Sequence, residues 1–201
     1  VVKQGEDTVP ESEVAVRLVK TATQIRDDFT EDPIGKFTVR VTGGQLTHAA
    51  GKLLVTPNTA TSAPLITIGE PTMTDYILDS DIALRGDSPS GGISAGLVFR
   101  YQDEGNYYHF RLDRQNGATT PTLQVLSWIN GTSTRHCAIP LSSAWTDMVH
   151  LRVVVRGNSA DFYANGVLME RLPVELPAGS VGYRAYGAKV ELDNLHVAEL
   201  V

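Results

Sequence analysis

The chain of 201 residues is 42% hydrophobic and 20% charged, which is ordinary for a globular protein with a sizeable core. A net charge of −6, without any Lys/Arg-rich run, argues against nucleic acid as a partner. No apolar run of about 18 residues occurs, so no transmembrane segment is predicted. The single cysteine, Cys137, excludes an internal disulfide, and we interpret it as a small apolar strand residue.

The first 25 residues differ in pattern from the rest of the chain. Val14, Val16 and Leu18 alternate as in a strand, although the spacing of Val14 and Leu18 also fits a helix. We predict a leader or interdomain segment over residues 1–25, able to dock as an extra strand, and one domain over residues 26–201. The absence of an initiator methionine and of a signal peptide suggests a piece of a larger polypeptide.

Beyond the leader, the sequence predicts β-strands separated by turns. Short runs of alternating apolar and polar residues lie at 37–41, 45–55 (interrupted at Gly51), 76–85, 94–101, 106–113, 122–129, 134–139, 148–156, 160–165, 167–172, 180–186 and 189–199. The Asn165-Gly166 pair is a strong hairpin signal. Many short strands without a long internal repeat indicate an all-β fold, a two-sheet antiparallel β-sandwich.

The strand over residues 106–113 separates two kinds of side chain. One face is large and apolar: Tyr108, Phe110 and Leu112. The other is polar or amphipathic: Tyr107, His109, Arg111 and Asp113. Burial of the first face is worth roughly 1.5–3 kcal/mol per large side chain, so we expect it to enter the core. In the preceding strand the same alternation sends Leu97, Phe99 and Tyr101 inward and Arg100 outward, beside His109 and Arg111.

The most informative stretch is 93–113, which reads Ile-Ser-Ala-Gly-Leu-Val-Phe-Arg-Tyr-Gln-Asp-Glu-Gly-Asn-Tyr-Tyr-His-Phe-Arg-Leu-Asp. Further landmarks follow the same order along the chain: Asp-Asp-Phe at 27–29, Trp145 before a strand, and Gly-Ser-Val-Gly-Tyr at 179–183. Together these motifs resemble the concanavalin A-like lectin/glucanase superfamily, in particular its laminin-G-like jelly rolls. The stretch is also similar to 3-keto-glycoside hydrolase-like domains. The resemblance implies a jelly roll whose concave sheet binds sugars.

The outward residues of this predicted sheet form a candidate ligand site. Its members are Arg100, Tyr107, His109, Arg111, Arg184 and Tyr186. Guanidinium groups donate directional hydrogen bonds to hydroxyl and carboxylate groups, and aromatic faces such as that of Trp128 pack on sugar rings. Several arginines favour an anionic glycan. A second interpretation stays open, in which this face is solvated and its arginines pair with Asp79, Asp81 or Asp113.

Catalysis is a further alternative. Retaining glucanases of this fold carry Glu-x-Asp-x-x-Glu, which brings two carboxylates to about 5–5.5 Å. The nearest match here begins at Glu191 and has His196 in place of the second Glu. The keto-glycoside hydrolase-like group commonly has a carboxylate where this chain has His109. Both departures argue against hydrolysis, although His109 could act as a general base. Uronate lyases of this fold also combine Arg, His and Tyr on the sheet.

The resemblance also implies one structural calcium ion near the two ends of the domain. Asp28 and Asp193 stand at the matching positions and are the predicted metal ligands. Turn-capping carboxylates are an equally good interpretation of the same residues.

From these observations we predict a non-catalytic carbohydrate-binding or adhesion-type module of a larger secreted or cell-surface protein. The extracellular location follows from the resemblance. The alternatives are a glycan-processing enzyme of the same fold, either a glycoside hydrolase or a uronate lyase, and a structural or assembly domain in which residues 1–25 provide contacts.

Overall fold

The computed structural model describes residues 24–86, 91–115 and 117–200. In these residues the chain forms a 3-10 turn at Ile34–Lys36 and the following strands: β1 (Gln24–Asp27), β2 (Thr38–Val41), β3 (Gly44–Ala49), β4 (Lys52–Pro57), β5 (Leu65–Ile68), β6 (Tyr76–Arg85), β7 (Ile93–Asp103), β8 (Asn106–Arg114), β9 (Thr122–Ile129), β10 (Thr132–Pro140), β11 (Val149–Arg156), β12 (Ser159–Ala164), β13 (Val167–Pro173), β14 (Ser180–Tyr186) and β15 (Lys189–Glu199). No helix in these ranges is long and apolar enough to cross a bilayer. The predicted leader lies outside the described residues, except for Gln24 and Ile25.

The strands form two antiparallel sheets. The seven-stranded sheet has the order β10-β9-β8-β7-β14-β5-β2. The eight-stranded sheet has the order β13-β12-β11-β6-β15-β4-β3, and β1 pairs with β15 beside this path. This arrangement confirms the predicted two-sheet antiparallel sandwich.

Apolar side chains from the facing sides of both sheets form the core. Tyr108, Phe110 and Leu112 of β8 are 3%, 0% and 0% exposed, which confirms that this side of the strand faces inward. Phe110 packs against Phe162 of the opposite sheet with ring centroids 5.1 Å apart. Because β8 alternates regularly, its other side chains must project onto the outer face of the seven-stranded sheet.

A β-bulge in β7 overturns two of the sequence predictions. The register pairs Phe99 with Tyr108 and then Asp103 with Asn106, so extra residues are accommodated on β7. Arg100, within the bulge, has a φ of 52° and is 1% exposed. The alternation therefore reverses at this point.

Arg100 turns towards the opposite sheet at one end of the sandwich. Its Nη1 and Nη2 donate to the carbonyl oxygens of Leu176 and Gly157, both at 2.9 Å. Tyr101 takes the outward direction and packs against Tyr107, at a ring separation of 5.9 Å. The predictions that Arg100 faces outward and Tyr101 inward are therefore wrong, because the bulge changes the side of the sheet to which each residue points.

Candidate ligand-binding site

A cleft of about 400 Å³ opens on the outer face of the seven-stranded sheet, over the neighbouring strands β8, β7 and β14. Four predicted ligand residues line it: His109, Arg111, Arg184 and Tyr186. Tyr107, a fifth, contacts Arg184 at one end of the cleft. Arg100, the sixth, is not part of the cleft, because its guanidinium group binds backbone on the other side of the sheet.

Gly96 of β7 lies between two arginines of the cleft. The strand register places Gly96 between Arg111 of β8 and Arg184 of β14. A Cβ atom at Gly96 would collide with the carbonyl group of Phe110 on the paired strand, so a side chain is not tolerated there. Glycine at this position therefore lets β7 and β8 approach closely between the two arginines.

Arg111 is held in place by a network of hydrogen bonds. Its Nε and Nη2 donate to Oε1 of Gln124 at 3.2 and 2.9 Å, and its Nη1 donates to Oγ of Ser94 at 3.2 Å. Its Nη2 also lies 3.1 Å from Oδ1 of Asp113. Burial lowers the pKa of Arg111, and Asp113 opposes part of this change. The guanidinium group of Arg111 is thus neutralised by Asp113 and fixed in direction.

Two members of this network, Ser94 and Gln124, were not among the sequence predictions. Both are buried polar residues of strands, with 1% and 4% exposure. Gln124 lies directly opposite Arg111 across the β8–β9 pair. Its outward position between the apolar residues Leu123 and Val125 was the signal that could have identified it.

Arg184 has different surroundings from Arg111. Its Cζ lies 4.8 Å from the centroid of the Trp128 ring and 5.7 Å from that of Tyr107, and its Nη1 donates a hydrogen bond to the Tyr107 hydroxyl. Tyr107 and Trp128 stack on each other, with centroids 4.6 Å apart and an interplanar angle of 8°. Burial raises the pKa of Tyr107 to about 12, so this tyrosine is neutral at physiological pH. No carboxylate in the described ranges pairs with Arg184.

His109 lies at the floor of the cleft with unused hydrogen-bonding capacity. It is 1% exposed, and neither Nδ1 nor Nε2 makes a hydrogen bond of normal geometry. Burial, followed by the positive charges of Arg111 and Arg184, lowers the pKa of His109 well below its ordinary value. The Arg184 backbone is close enough to oppose part of this shift. His109 is therefore neutral, and neither ring nitrogen makes a well-formed hydrogen bond within the described residues, apart from a weak one with the Arg184 backbone. Buried groups of this kind call for a partner.

A larger cleft, of about 780 Å³, lies on the outer face of the eight-stranded sheet. Its charged groups pair with one another: His150 Nδ1 is 2.7 Å from Asp81 Oδ1, and Arg152 Nε donates to Asp79 Oδ2 at 3.1 Å. None of the described residues that line it is a phenylalanine, tyrosine or tryptophan. Of the acidic partners proposed in the solvated-face interpretation, Asp113 does pair with an arginine of the predicted site, but Asp79 and Asp81 belong to this opposite cleft.

The two predicted calcium ligands are engaged in local contacts. Oδ1 of Asp28 accepts hydrogen bonds from the backbone N–H and the hydroxyl of Thr30, and these bonds lower the pKa of Asp28. Oδ2 of Asp193 lies 2.6 Å from Lys52 Nζ. In the parts of the chain that the structure describes, no three His, Cys, Asp or Glu side chains are grouped to hold a metal ion. These residues do not fit a carboxylate-rich calcium site, and calcium binding stays an untested prediction.

No protein-family profile and no curated protein sequence matches the chain. Solved structures do resemble it. The carbohydrate-binding module CBM66 from Bacillus subtilis superposes with a TM-score of 0.66 at 16% identity, over 82% of this chain and 96% of that one. The CBM2 module of the evolved Dit protein of Lactobacillus casei BL23 phage J-1 gives 0.65 at 13%, over 88% and 94%. The catalytic domain of an endo-1,3-β-glucanase from Thermotoga petrophila gives 0.62 at 10%, over 91% and 99%.

The two antiparallel sheets and these similarities define the fold as a jelly-roll β-sandwich. At these identities the similarity concerns the fold alone. Because structures of this type include both binding modules and glycosidases, the activity must be argued from the side chains of the clefts.

Proposed function

We propose that the protein binds a glycan on the outer face of its seven-stranded sheet without altering it chemically. The observation that carries this proposal is the position of Arg184, which lies against the stacked rings of Tyr107 and Trp128 and has no carboxylate partner in the described ranges. Sugars present apolar ring faces and hydroxyl groups, which suit an aromatic surface next to directional donors. The carbohydrate-binding modules among the similar structures support a glycan as the ligand.

The contents of the cleft favour binding over hydrolysis. Glycosidases of the common type need two carboxyl groups that flank the scissile bond. Among the described residues that line this cleft, the carboxylate is that of Asp113 alone. Asp113 also accepts hydrogen bonds from Gln115 and Gln124, at 2.6 and 3.2 Å, in addition to its contact with Arg111. A histidine with a lowered pKa between two arginines is a weak general base.

The proposal extends to the setting of the protein. Glycan-binding jelly rolls serve as modules of larger proteins, and we propose that this chain belongs to a larger secreted or cell-surface polypeptide. The support for this part is the sequence resemblance described above.

The test is a glycan array probed with the purified protein, followed by titration of any retained glycan. Trp128→Ala removes an aromatic wall of the cleft and is expected to weaken binding at least tenfold. Trp145→Ala is the matched control, because Trp145 is also half-buried but contacts Arg114 outside the cleft, at 4.2 Å from its ring centroid. Retention of no glycan, or equal weakening by both substitutions, would refute a glycan site at this position.

An enzymatic function is the second candidate, and the larger cleft favours it. Asp79 and Asp81 project from the same side of β6, with His150 2.7 Å from one carboxylate and 3.8 Å from the other. Paired carboxylates beside an imidazole suit acid–base chemistry. Release of reducing ends or of unsaturated uronates from a polysaccharide, lost in Asp81→Asn, would assign the activity to this cleft.

A further inference from the structure

We propose that Arg184, and not Arg111, recognises a single anionic group on the glycan, and that the ligand is therefore an acidic sugar carrying one carboxylate or sulfate at this position. Arg111 is a positioning residue in this scheme. The inference rests on the proposed glycan site and adds to it the charge of the ligand and the residue that binds the charged group.

Arg111 has few free hydrogen-bond donors and no uncompensated charge left for a ligand. Its Nε, Nη1 and Nη2 all donate to neighbouring side chains, Gln124 and Ser94. Its charge is balanced by Asp113, whose Oδ1 is 3.1 Å from Nη2. A ligand anion at Arg111 would have to displace Asp113, which is 5% exposed and cannot readily turn to solvent.

Arg184, in contrast, has an uncompensated positive charge and free hydrogen-bond donors. Its one hydrogen bond to the described residues goes from Nη1 to the hydroxyl of Tyr107, which is neutral and so leaves the positive charge uncompensated. The planar guanidinium group can present its remaining N–H groups as a fork, the geometry that carboxylate and sulfate oxygens accept.

The side chains that line the cleft carry one uncompensated positive charge. Arg111 and Asp113 neutralise each other and His109 is uncharged, so the positive charge of Arg184 is the one that remains among the described lining residues. The whole chain carries a net charge of −6, so a polyanion gains no general electrostatic attraction to it. One acidic group matches the site, and a dense row of acidic groups does not.

His109 is 1% exposed and lines the same cleft, and neither of its ring nitrogens makes a well-formed hydrogen bond. The His109 ring lies beside the Trp128 ring, with centroids 6.3 Å apart. A hydroxyl group next to the acidic group of the sugar could accept and donate at these nitrogens. Since the nitrogens are enclosed, such contact requires neighbouring side chains to move when the ligand binds.

The experiment compares matched ligand pairs by isothermal titration calorimetry with the full chain. The probes are neutral oligosaccharides that end in one galacturonate, glucuronate or mannuronate unit, each with its carboxyl-reduced form, and a singly sulfated neutral oligosaccharide with its desulfated form. The wild-type protein is expected to bind at least one acidic form tenfold or more tightly than its neutral twin. Arg184→Gln should remove this preference, because the acidic form is expected to lose at least tenfold more affinity than its neutral twin. Arg111→Gln should weaken both forms and lower the melting temperature.

The outcomes separate the two proposals. Equal affinity for acidic and neutral forms, or an acidic preference that persists in Arg184→Gln, overturns the role of Arg184 and leaves the glycan site intact. Binding of no probe by the wild-type protein, together with no retention on the glycan array, overturns both. A preference for carboxylated over sulfated probes, lost in Arg184→Gln, identifies the anion as a uronate, and the reverse preference identifies it as a sulfate.

Discussion

Asp113 holds Arg111 against the sheet, with Oδ1 3.1 Å from Nη2, and in doing so it removes the charge of that arginine from the cleft. The two residues lie on the same side of β8, and Gln124 of the next strand bonds to both. The Arg111–Asp113 ion pair therefore determines both the net charge of the cleft and the orientation of the Arg111 side chain.

Asp113→Asn is expected to change stability and affinity in opposite directions. Loss of the carboxylate leaves Arg111 partly buried without its counter-ion, which costs about 1–3 kcal/mol of folding stability. The same change adds a positive charge to the cleft, so the affinity for an acidic oligosaccharide should rise. Urea unfolding and calorimetric titration measure the two effects. Asp147→Asn, in an exposed loop outside the cleft, is the control, and a fall in affinity in Asp113→Asn would contradict the charge argument.

His109 should make folding stability depend on pH. The pKa of His109 is lowered in the folded protein, whereas in the unfolded chain it has its ordinary value of about 6.5. In the pH range between these two pKa values, the unfolded chain binds more protons than the folded protein. Titration of His109 therefore does not reduce the folding stability above about pH 6.5. Below that pH it lowers the free energy of unfolding by at most about 1.4 kcal/mol per pH unit.

His109→Leu removes both this titration and the unpaired nitrogens. We expect the variant to be more stable than the wild type at neutral pH by about 1 kcal/mol, and the difference to grow as the solution is acidified. Urea unfolding of both proteins from pH 7.5 to pH 5 measures this difference, in which the contributions of other groups largely cancel. Parallel stability curves would show that His109 does not titrate as described.

Arg100 should matter for stability and not for ligand binding. It is 1% exposed and donates to two carbonyl groups of the opposite side of the sandwich. Arg100→Met leaves these carbonyls unpaired and is expected to cost about 2–4 kcal/mol, while ligand affinity per folded molecule is unchanged. Arg171→Met is the control, since the Arg171 side chain is 66% exposed and its pair with Asp161 is worth about 1 kcal/mol or less. A selective loss of ligand binding in Arg100→Met would place Arg100 in the site after all.

Calcium is expected to leave the melting temperature unchanged. The ammonium group of Lys52, 2.6 Å from Asp193, occupies the position that a cation would need, and Asp28 is engaged by Thr30. Differential scanning fluorimetry in millimolar calcium and in EDTA measures the effect. A calcium-dependent rise that disappears in Asp193→Asn would establish the metal site predicted from the sequence.

The sequence predicted the parts of this structure that follow regular alternation. In β8 the period of two residues separates Phe110 from His109 and Arg111 without ambiguity, because each strand residue points away from its neighbours. The same logic placed Arg184 and Tyr186 correctly on the outer face of β14. Strand β5 was missed because Leu65–Ile68 is apolar and short, with no alternation to indicate a half-buried strand.

Arg100 shows where such inference fails. A bulge depends on the pairing between two strands, and nothing local in β7 marks the residue at which the extra length is absorbed. The difference in neighbouring side chains between Arg111 and Arg184 could not be predicted from the sequence either. It depends on Asp113, Gln124 and Trp128, whose distances to the arginines are set by the register of four strands.

The candidate site is built on strands from the interior of a sheet. Arg184, Arg111 and Trp128 belong to β14, β8 and β9, and each of these strands is hydrogen-bonded to a neighbour on both sides. Backbone atoms so constrained lose little further freedom when a ligand arrives, so association should carry a small entropic penalty from the protein. Any adjustment falls to side-chain rotamers such as that of Arg184, which exchange much faster than sheets rearrange. Such a surface would capture and release single sugar units quickly, and durable attachment would require several copies acting on one polymer.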